Sequence, residues 1–517
     1  MLKNGLRVIL ILCIMTSFVL AQSTVDLNIV HKIKVEGLQH SQIMQTISYL
    51  TDVYGPRLTG SPELREAAEW ARDQMKEWGI KDVKLEDWGT FGRSWTMEKV
   101  SVHMISPRYA PLIAYPKAWT RSTDGVVTGT PVLMDIESAE QLEAFKDSLQ
   151  DAIVMMGEPQ EWSPKFEPDA SRYDEEKLAE LIAAPEPGAK SPWADRRKEW
   201  MARRALYRKI SQFLAEEKVA VILEPSQREH GTVRVYTRGG YKLDEELDIP
   251  TVVVSNEQYG RIYRIMEKNI PVTLEINIKN AISTNDSIGF NVIAEIPGTD
   301  SDLEDQVVML GGHLDSWYAG TGATDNASSC AVAMEAMRIL KKIGIKPRRT
   351  IRMALWSGEE QGYLGSRAYL ENHYGDRKTM KLKPAHKDFS VYFNLDNGAG
   401  KIRGIYLQDN DAARPIFEEW FKPFHDMGAE TITIRNTSGT DHIPFNEIGL
   451  PGFQFIQDPI DYMTRTHHTN MDVYEHVIPG DVMQAAVIMA SFVYNASMMN
   501  AQFPRKPLPE PQGDNSW

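Results

Sequence analysis

The strongest constraint on the fold is the alternation of strand-like and helix-like segments between residues 285 and 500. Short apolar runs predict strands, and longer runs with apolar residues every three or four positions predict helices. The predicted strands are Val307–Leu310, Thr350–Trp356, Val391–Leu395 and Gly452–Ile456, and the predicted helices are Asn326–Ile343, Leu364–Tyr374, Pro415–Met427 and Asp481–Met499. Such alternation predicts an α/β fold in which a mixed, mostly parallel sheet is sandwiched by helices.

Side chains that can bind metals stand at the ends of these predicted strands. In order along the chain they are His313, Asp325, the adjacent pair Glu359 and Glu360, Asp396, and His468. In open α/β sheets, ligands bind outside the carboxyl ends of the strands, so we expect these side chains to converge. Imidazoles and carboxylates suit zinc. Because a structural zinc needs only four ligands, this larger set predicts two ions that share a bridging carboxylate.

The residue types suggest a division of labour. Asp325 is the natural bridge, because its turn is rich in Gly, Ala and Thr and lets the backbone approach closely. Asp315 follows His313 by two positions and can accept the other ring N–H of that histidine, which fixes its tautomer. In the pair Glu359–Glu360, one glutamate can bind metal while its neighbour acts on the nucleophilic water.

Composition excludes several classes of protein. There are only two cysteines, Cys13 and Cys330, so a disulfide scaffold and an all-Cys zinc site are ruled out. Lys and Arg number 57 against 71 Asp and Glu, and the net charge of −14 argues against nucleic-acid binding. The sequence has no H-E-x-x-H helix, no Walker loop and no G-x-S-x-G elbow. Cys330 is expected to be packed in the core.

The order of the motifs resembles a known family. H-x-D at 313–315, T-D-N-A-S at 324–328, W-S-G-E-E-Q-G at 356–362, N-L-D at 394–396 and H-H-T-x-x-D at 467–472 look like those of the co-catalytic dizinc aminopeptidases and carboxypeptidases. Residues 55–61 (GPRLTGS) resemble the R-x-T-G-S signature of that family. The β-rich stretch before residue 283 lies where many members carry a protease-associated insert. The chain lacks the cysteine pair that simpler members carry near the C-terminal loop.

This resemblance implies a role for each matching residue. The implied ligands are His313 and Asp396 on one zinc ion, Glu360 and His468 on the other, and Asp325 bridging both. The resemblance also implies that Glu359 is the general base for a hydroxide that bridges the ions. The ligand is His468 rather than His467, because the family motif places it directly before Thr-x-x-Asp. His442, in a loop after Ser438, is a further candidate for contacting the substrate or the oxyanion.

The implied fold is that of the zinc exopeptidases, which is phosphorylase/hydrolase-like, with an inserted protease-associated domain. Asp325–Asn326 falls where relatives carry a non-proline cis peptide. We expect a signal peptide at 1–21, peptidase segments at 22–124 and 283–503, an insert at 125–282, and a Pro-rich tail at 504–517. Within the insert, Tyr173–Glu217 is expected to be helical and Thr232–Tyr236 to be one of several strands.

The sequence therefore predicts a secreted or periplasmic zinc exopeptidase that acts on peptides or dipeptides and has no membrane span after signal cleavage. Two alternatives stay open at this point: a zinc acyltransferase of the glutaminyl-cyclase type, and a non-catalytic receptor-like homologue. The motifs do not separate aminopeptidase from carboxypeptidase or dipeptidase activity, and they leave open whether the chain forms a homodimer.

Overall fold

A computed structural model describes residues 25–183, 192–237 and 239–511. The expected signal peptide at residues 1–21 lies outside these residues. The described helices are α1 Leu27–Gln39, α2 Ile43–Ser48, α3 Pro62–Glu77, α4 Glu175–Ile182, α5 Pro192–Glu216, α6 Asn256–Met266, α7 Ser328–Lys342, α8 Leu364–His373, α9 Arg414–Phe421, α10 His442–Glu447 and α11 Pro479–Met498.

The described strands fall into one large sheet and three smaller ones. They are β1 Asp82–Thr90, β2 Ser94–Ser106, β3 Ala110–Pro111, β4 Ala114–Pro116, β5 Val127–Gly129, β6 Pro131–Met134, β7 Ile153–Met156, β8 Val221–Pro225, β9 Thr251–Val254, β10 Thr273–Ser283, β11 Ile288–Ile296, β12 Val307–His313, β13 Thr350–Trp356, β14 Gly375–Asp376, β15 Lys381–Leu382, β16 Phe389–Asn394, β17 Ile402–Tyr406, β18 Thr431–Thr433 and β19 Gly452–Gln457.

The large sheet has eight strands in the order β1-β11-β13-β12-β16-β19-β17-β18. Its centre, from β13 through β12 and β16 to β19, is parallel. The strands β1 and β11 on one side, and the pairing of β17 with β19, are antiparallel. The expected mixed, mostly parallel sheet is thus confirmed. Sequence reasoning missed β11, β17 and β18, which lie outside this parallel centre.

Both faces of the large sheet are covered by helices. In β12, Val308 and Leu310 lie in the core on the side of α7 and α11. Val307 and Met309 point to the opposite face and join a second core with residues of α8 and α10. This alternation follows from the two-residue period of a strand. Both faces of β12 are therefore buried. Its carboxyl end, where His313 stands, is the part of the strand that can contribute to a binding site.

The segment before residue 283 forms two further sheets. One has four antiparallel strands in the order β3-β2-β10-β5, and the other has five in the order β4-β9-β8-β7-β6. They share one core, in which Val102 and Leu274 of the first sheet meet Met155 and Leu223 of the second. Strands β2, β3 and β4 precede residue 125, so the boundary expected there falls within these sheets. The division of the chain into domains stays a prediction.

Two expectations for this segment have different outcomes. The charged stretch contains the expected helices α4 and α5. The segment Thr232–Tyr236, however, is not a strand of either sheet. Its backbone instead hydrogen-bonds to the loop at 468–470, where Val235 N–H donates to the His468 carbonyl at 3.1 Å and Asn470 N–H donates to the Val233 carbonyl at 3.1 Å. The prediction of a sheet strand there is wrong, because its pairing partner is a loop distant in sequence.

Among the described residues, no helix combines the length and hydropathy needed to cross a membrane. The described part of the Pro-rich tail, up to residue 511, is irregular. Arg505 nevertheless anchors its start, since one guanidinium nitrogen donates to the His386 carbonyl at 2.9 Å.

Candidate metal centre

The predicted metal-binding side chains converge at the carboxyl end of the parallel strands. His313 is the last residue of β12, and Asp396 follows β16 by two residues. Glu359 and Glu360 lie in the loop after β13. Asp325 lies in the turn Ala323–Ala327, which leads into α7, and its peptide bond to Asn326 is cis, as the resemblance implies. His468 comes from the loop after β19.

Two groups of ligand atoms share Asp325. His313 Nε2 lies 3.2 Å from Asp325 Oδ1 and 3.4 Å from Asp396 Oδ1. His468 Nε2 lies 3.2 Å from Asp325 Oδ2 and 3.2 Å from Glu360 Oε2. Each oxygen of the Asp325 carboxylate therefore faces a different histidine. This is the geometry that a carboxylate bridging two cations needs.

The electrostatics of this cluster fit two divalent cations. Asp325 Oδ2 and Glu360 Oε1 are buried and have no hydrogen-bond partner among the described residues. Burial opposes the protonation of His468, yet Glu360 and Asp325 raise its pKa to about 9. The cluster thus carries an excess of negative charge, which bound cations would neutralise.

The hydrogen bonds distinguish His468 from its neighbour His467. His467 Nδ1 lies 2.8 Å from a guanidinium nitrogen of Arg234, and a guanidinium can only donate. Nδ1 of His467 is therefore the acceptor, and burial lowers the pKa of this ring to about 3, so the ring is neutral and Nε2 carries its proton. A protonated Nε2 has no lone pair for a metal. His467 Nε2 is also 4.0 Å from Asp325 Oδ2, compared with 3.2 Å for His468.

Glu359 lies at the centre without belonging to either group. Its Oε2 is 4.0 Å from His313 Nε2, and the side chain is buried. Burial raises the pKa of this carboxyl well above its usual value, and Asp396 and Asp441 add to the shift while His313 opposes it. A base with a raised pKa suits proton transfer near neutral pH.

Asp315 supports the centre through a different atom than expected. The acceptor for His313 Nδ1 is the backbone carbonyl of Asp315 at 2.9 Å, whereas the nearer carboxylate oxygen is 3.7 Å away. The carboxylate instead accepts from the backbone N–H groups of Glu359 and Glu360, at 3.3 Å each, and from the Thr59 hydroxyl at 2.8 Å. The expectation is corrected in this detail: Asp315 orients the histidine by its main chain and the glutamate loop by its side chain.

The N-terminal signature also acts on the centre. The Arg57 guanidinium is buried and donates to the carbonyls of Leu314 at 2.7 Å, Thr321 at 2.9 Å and Gly322 at 2.9 Å. These hydrogen bonds hold together the two ends of the segment that connects His313 with Asp325. The sequence marked this arginine by its motif but did not assign it a role.

Asp472 is a residue whose function sequence reasoning missed. One carboxylate oxygen accepts from the Thr324 N–H at 2.6 Å and the Thr324 hydroxyl at 2.8 Å, and the other accepts from the Asp325 N–H at 3.2 Å. It therefore fixes the turn that presents Asp325. The signal was present in the H-H-T-x-x-D motif, of which Asp472 is the last residue.

Within the described residues, the side-chain hydrogen bonds of His442 are with groups other than the predicted ligands. Its ring is fully buried at the start of α10, where Nε2 lies 2.8 Å from the side-chain amide nitrogen of Gln408 and 3.2 Å from the Thr437 carbonyl. Burial lowers its pKa to about 4. These contacts give no support to the substrate role expected for His442. Cys330 is buried as expected, and its thiol contacts the His313 carbonyl at 2.9 Å.

The comparisons with known proteins agree with this geometry. The model of peptidase family M28 matches residues 291–493, which include every predicted ligand. This segment belongs to peptidase family M28. Carboxypeptidase Q of Bos taurus is 25% identical over 91% of this chain and 88% of its own length.

Two solved structures show that the M28 domain and the segment before it share a fold with known proteins. A peptidase M28 precursor from Shewanella amazonensis superposes with a TM-score of 0.67 at 22% identity and covers 93% of this chain and 98% of its own. A zinc aminopeptidase from Bacillus subtilis gives a TM-score of 0.55 at 18% identity, with 88% and 94% covered. Zinc aminopeptidases of family M28 are dizinc enzymes, and the two ligand groups on Asp325 agree with the predicted two zinc ions.

Proposed function

We propose that this chain is an exported dizinc exopeptidase that hydrolyses a terminal bond of peptides or dipeptides, with Glu359 as its general base. The observation that carries this proposal is the division of the Asp325 oxygens between His313 and His468, with Glu359 unused by either group. Export is inferred from the positively charged and then apolar start of the sequence.

The side chains divide the chemistry as follows. Zinc ions, when bound, would lower the pKa of water and polarise the scissile carbonyl. His313, Asp396, Glu360 and His468 would hold these ions, and Asp325 would bridge them. The Glu359 carboxylate would accept a proton from the attacking water and return it to the leaving amine. The Asp315 carboxylate holds Glu359 in place by accepting a hydrogen bond from the backbone N–H of Glu359.

The test is a single isosteric substitution, Glu359→Gln. It removes the base but keeps the size of the side chain, so we expect zinc content to stay at two ions per chain and kcat to fall by about 100-fold or more, as for loss of a general base. Metal analysis and hydrolysis of a peptide library measure the two quantities. The exposed Glu418→Gln is the matched control and should behave like the unmodified protein.

Three results would contradict the proposal. Unchanged activity of a Glu359→Gln variant would show that Glu359 is not the general base. A zinc content near zero would show that the cluster is not a zinc centre. Release of ammonia from N-terminal glutamine, without release of amino acids from peptides, would instead identify an acyltransferase.

A further inference from the structure

The segment before the M28 domain places two neighbouring arginines near the metal centre, and neither forms an ion pair with a carboxylate among the described residues. We propose that Arg234 and Arg228 bind the free C-terminal carboxylate of the substrate, so that the enzyme removes the last residue of a peptide or cleaves a dipeptide. This inference rests on the proposed peptidase function and specifies its substrate class.

Backbone hydrogen bonds join the segment that carries Arg234 to the metal loop, and the Ser226 hydroxyl links Arg228 to it by accepting from the backbone N–H groups of Arg228 at 3.2 Å and Arg234 at 3.3 Å. Besides the bonds between 233–235 and 468–470, the Val233 N–H donates to Asn470 Oδ1 at 2.7 Å. Tyr236, on the same segment, places its ring 5.2 Å from the ring of the proposed ligand His468 in an edge-to-face arrangement. The His468 side of the centre is therefore lined by residues 233–236, outside the matched family domain.

Arg234 is held in a defined position with donors to spare. Its guanidinium lies over the Tyr236 ring, 4.8 Å from the centroid, and contacts His467 Nδ1 at 2.8 Å. Its Nε is buried without a hydrogen-bond partner, and Nε of Arg228 is in the same state. No ion pair joins either arginine to a carboxylate within the described residues. Some other arginines do have such partners: the buried Arg338 pairs with Glu335 and Glu36, and the half-buried Arg352 with Glu295. The buried Arg57 and Arg349 donate instead to backbone carbonyls.

The positive charge of Arg228 and Arg234 favours an anionic ligand. Burial, and then the positive charge of Arg234, lower the pKa of Arg228. Two guanidiniums that destabilise each other would be stabilised by an anion between them, and arginine matches a carboxylate with two parallel hydrogen bonds. The same pair would repel the protonated amine that an aminopeptidase must bind. The buried Trp317 indole, whose ring lies 5.9 Å from that of His468, is a further N–H donor without a partner among the described residues.

The spacing fits a carboxylate one residue away from the bond that is cut. The Arg234 guanidinium lies 2.8 Å from Nδ1 of the His467 ring. Nε2 on the other side of the same ring lies 4.0 Å from a carboxylate oxygen of the bridging Asp325. One residue of an extended peptide spans about 3.5 Å. A substrate whose scissile carbonyl lies at the metals would thus bring the carboxylate of its last residue into the range of Arg234.

The first experiment compares each dipeptide of a small library in three forms: free, N-acetylated and C-amidated. The zinc-loaded full-length protein should lose roughly 10- to 100-fold in kcat/KM on C-amidation, the effect of losing a hydrogen bond to a charged group. N-acetylation should cost less than amidation. Equal cleavage of free and amidated forms, or a stronger loss on N-acetylation, would overturn the inference.

The second experiment tests the arginines themselves. Arg234→Gln and Arg228→Gln should raise KM for the free peptides and reduce the ratio of kcat/KM between free and amidated forms toward one, while Arg→Lys at either position should restore part of that ratio. Arg414→Gln, at a surface pair with Asp411, is the matched control and should keep the ratio. Zinc content should stay at the wild-type value, because neither arginine is a proposed ligand; a loss of zinc would trace the effect to displacement of the loop that carries His468 and would count against the assignment. An unchanged ratio in both Gln variants would refute the assignment.

These outcomes separate the two proposals. If the zinc-loaded protein cleaves none of the three forms, the proposed peptidase function itself fails. If it cleaves peptides without regard to the C-terminal carboxylate, only the role of Arg234 and Arg228 fails.

Discussion

At the scale of single residues, Asp315 supports the metal centre with both its main chain and its side chain. The Asp315 carbonyl orients His313, while its carboxylate accepts from Thr59 and from the backbone of Glu359 and Glu360. Such outer contacts tune metal ligands and catalytic groups. Thr59, His313 and the adjacent pair Glu359–Glu360 are distant from one another in sequence, and their shared contact with Asp315 links them.

The effect of burial on the pKa of a single residue can be tested at His442. Its pKa is lowered to about 4 in the folded protein, whereas an unfolded histidine has a pKa near 6.5. The unfolded state therefore binds an extra proton between these values, and stability falls as pH decreases through this range. We expect the unfolding free energy to fall between pH 7 and pH 4.5 by about 2–3 kcal/mol more in the unmodified protein than in His442→Gln.

Chemical denaturation at the two pH values measures this difference. The exposed His31→Gln serves as the control and should follow the unmodified protein. If His442→Gln shows the same loss of stability on acidification as the unmodified protein, His442 is not held neutral by burial.

At the scale of elements, the pairing of strand β12 with β13 leaves no room for a side chain at Gly311, two residues before His313. A Cβ added at Gly311 would lie 2.1 Å from the carbonyl oxygen of Ala354 on β13, so no side chain fits there without a shift of the backbone. We expect Gly311→Ala to destabilise the protein by about 1–3 kcal/mol, as overpacked cores do, and to weaken zinc binding. Thermal unfolding and metal analysis measure both effects.

The control for this element is Gly480→Ala. Gly480 lies in the first turn of α11, and an added Cβ would meet nothing within 4 Å. This substitution should leave stability and zinc content unchanged or slightly raise stability. A Gly311→Ala variant as stable as Gly480→Ala would show that β12 can move away from β13.

At the scale of the whole molecule, metal binding and folding should be coupled. The proposed ligands come from the end of β12 and from four separate loops and turns, and they bring several carboxylates together in the interior. A cation that binds only the folded state stabilises it, by about 4 kcal/mol when its concentration is 1,000 times its Kd. We therefore expect chelation of zinc to lower Tm by several degrees, and added zinc to restore it.

Two variants sharpen this expectation in calorimetry. Asp325→Asn removes the bridging carboxylate and should abolish the rise in Tm on adding zinc. Glu359→Gln leaves the ligands intact and should retain it. Equal responses of the two variants would contradict the ligand assignment.

The sequence by itself determined the parallel centre of the sheet, and it picked out the side chains that the fold brings together at the carboxyl ends of those strands. It could do so because a strand's period and the residues at its end are local properties, and the fold sends the carboxyl ends of parallel strands to one place. Strands β17 and β18 escaped prediction because each is short and defined by its pairing.

Only the tertiary structure decided which atoms meet. It showed that the Asp315 carbonyl accepts from His313, that the buried His442 contacts Gln408, and that Thr232–Tyr236 pairs with the metal loop instead of a sheet. It also brought Arg234, which lies more than 230 residues before His468, into contact with the neighbouring His467. Contacts of this kind depend on how separate segments pack, and no spacing along the chain encodes them.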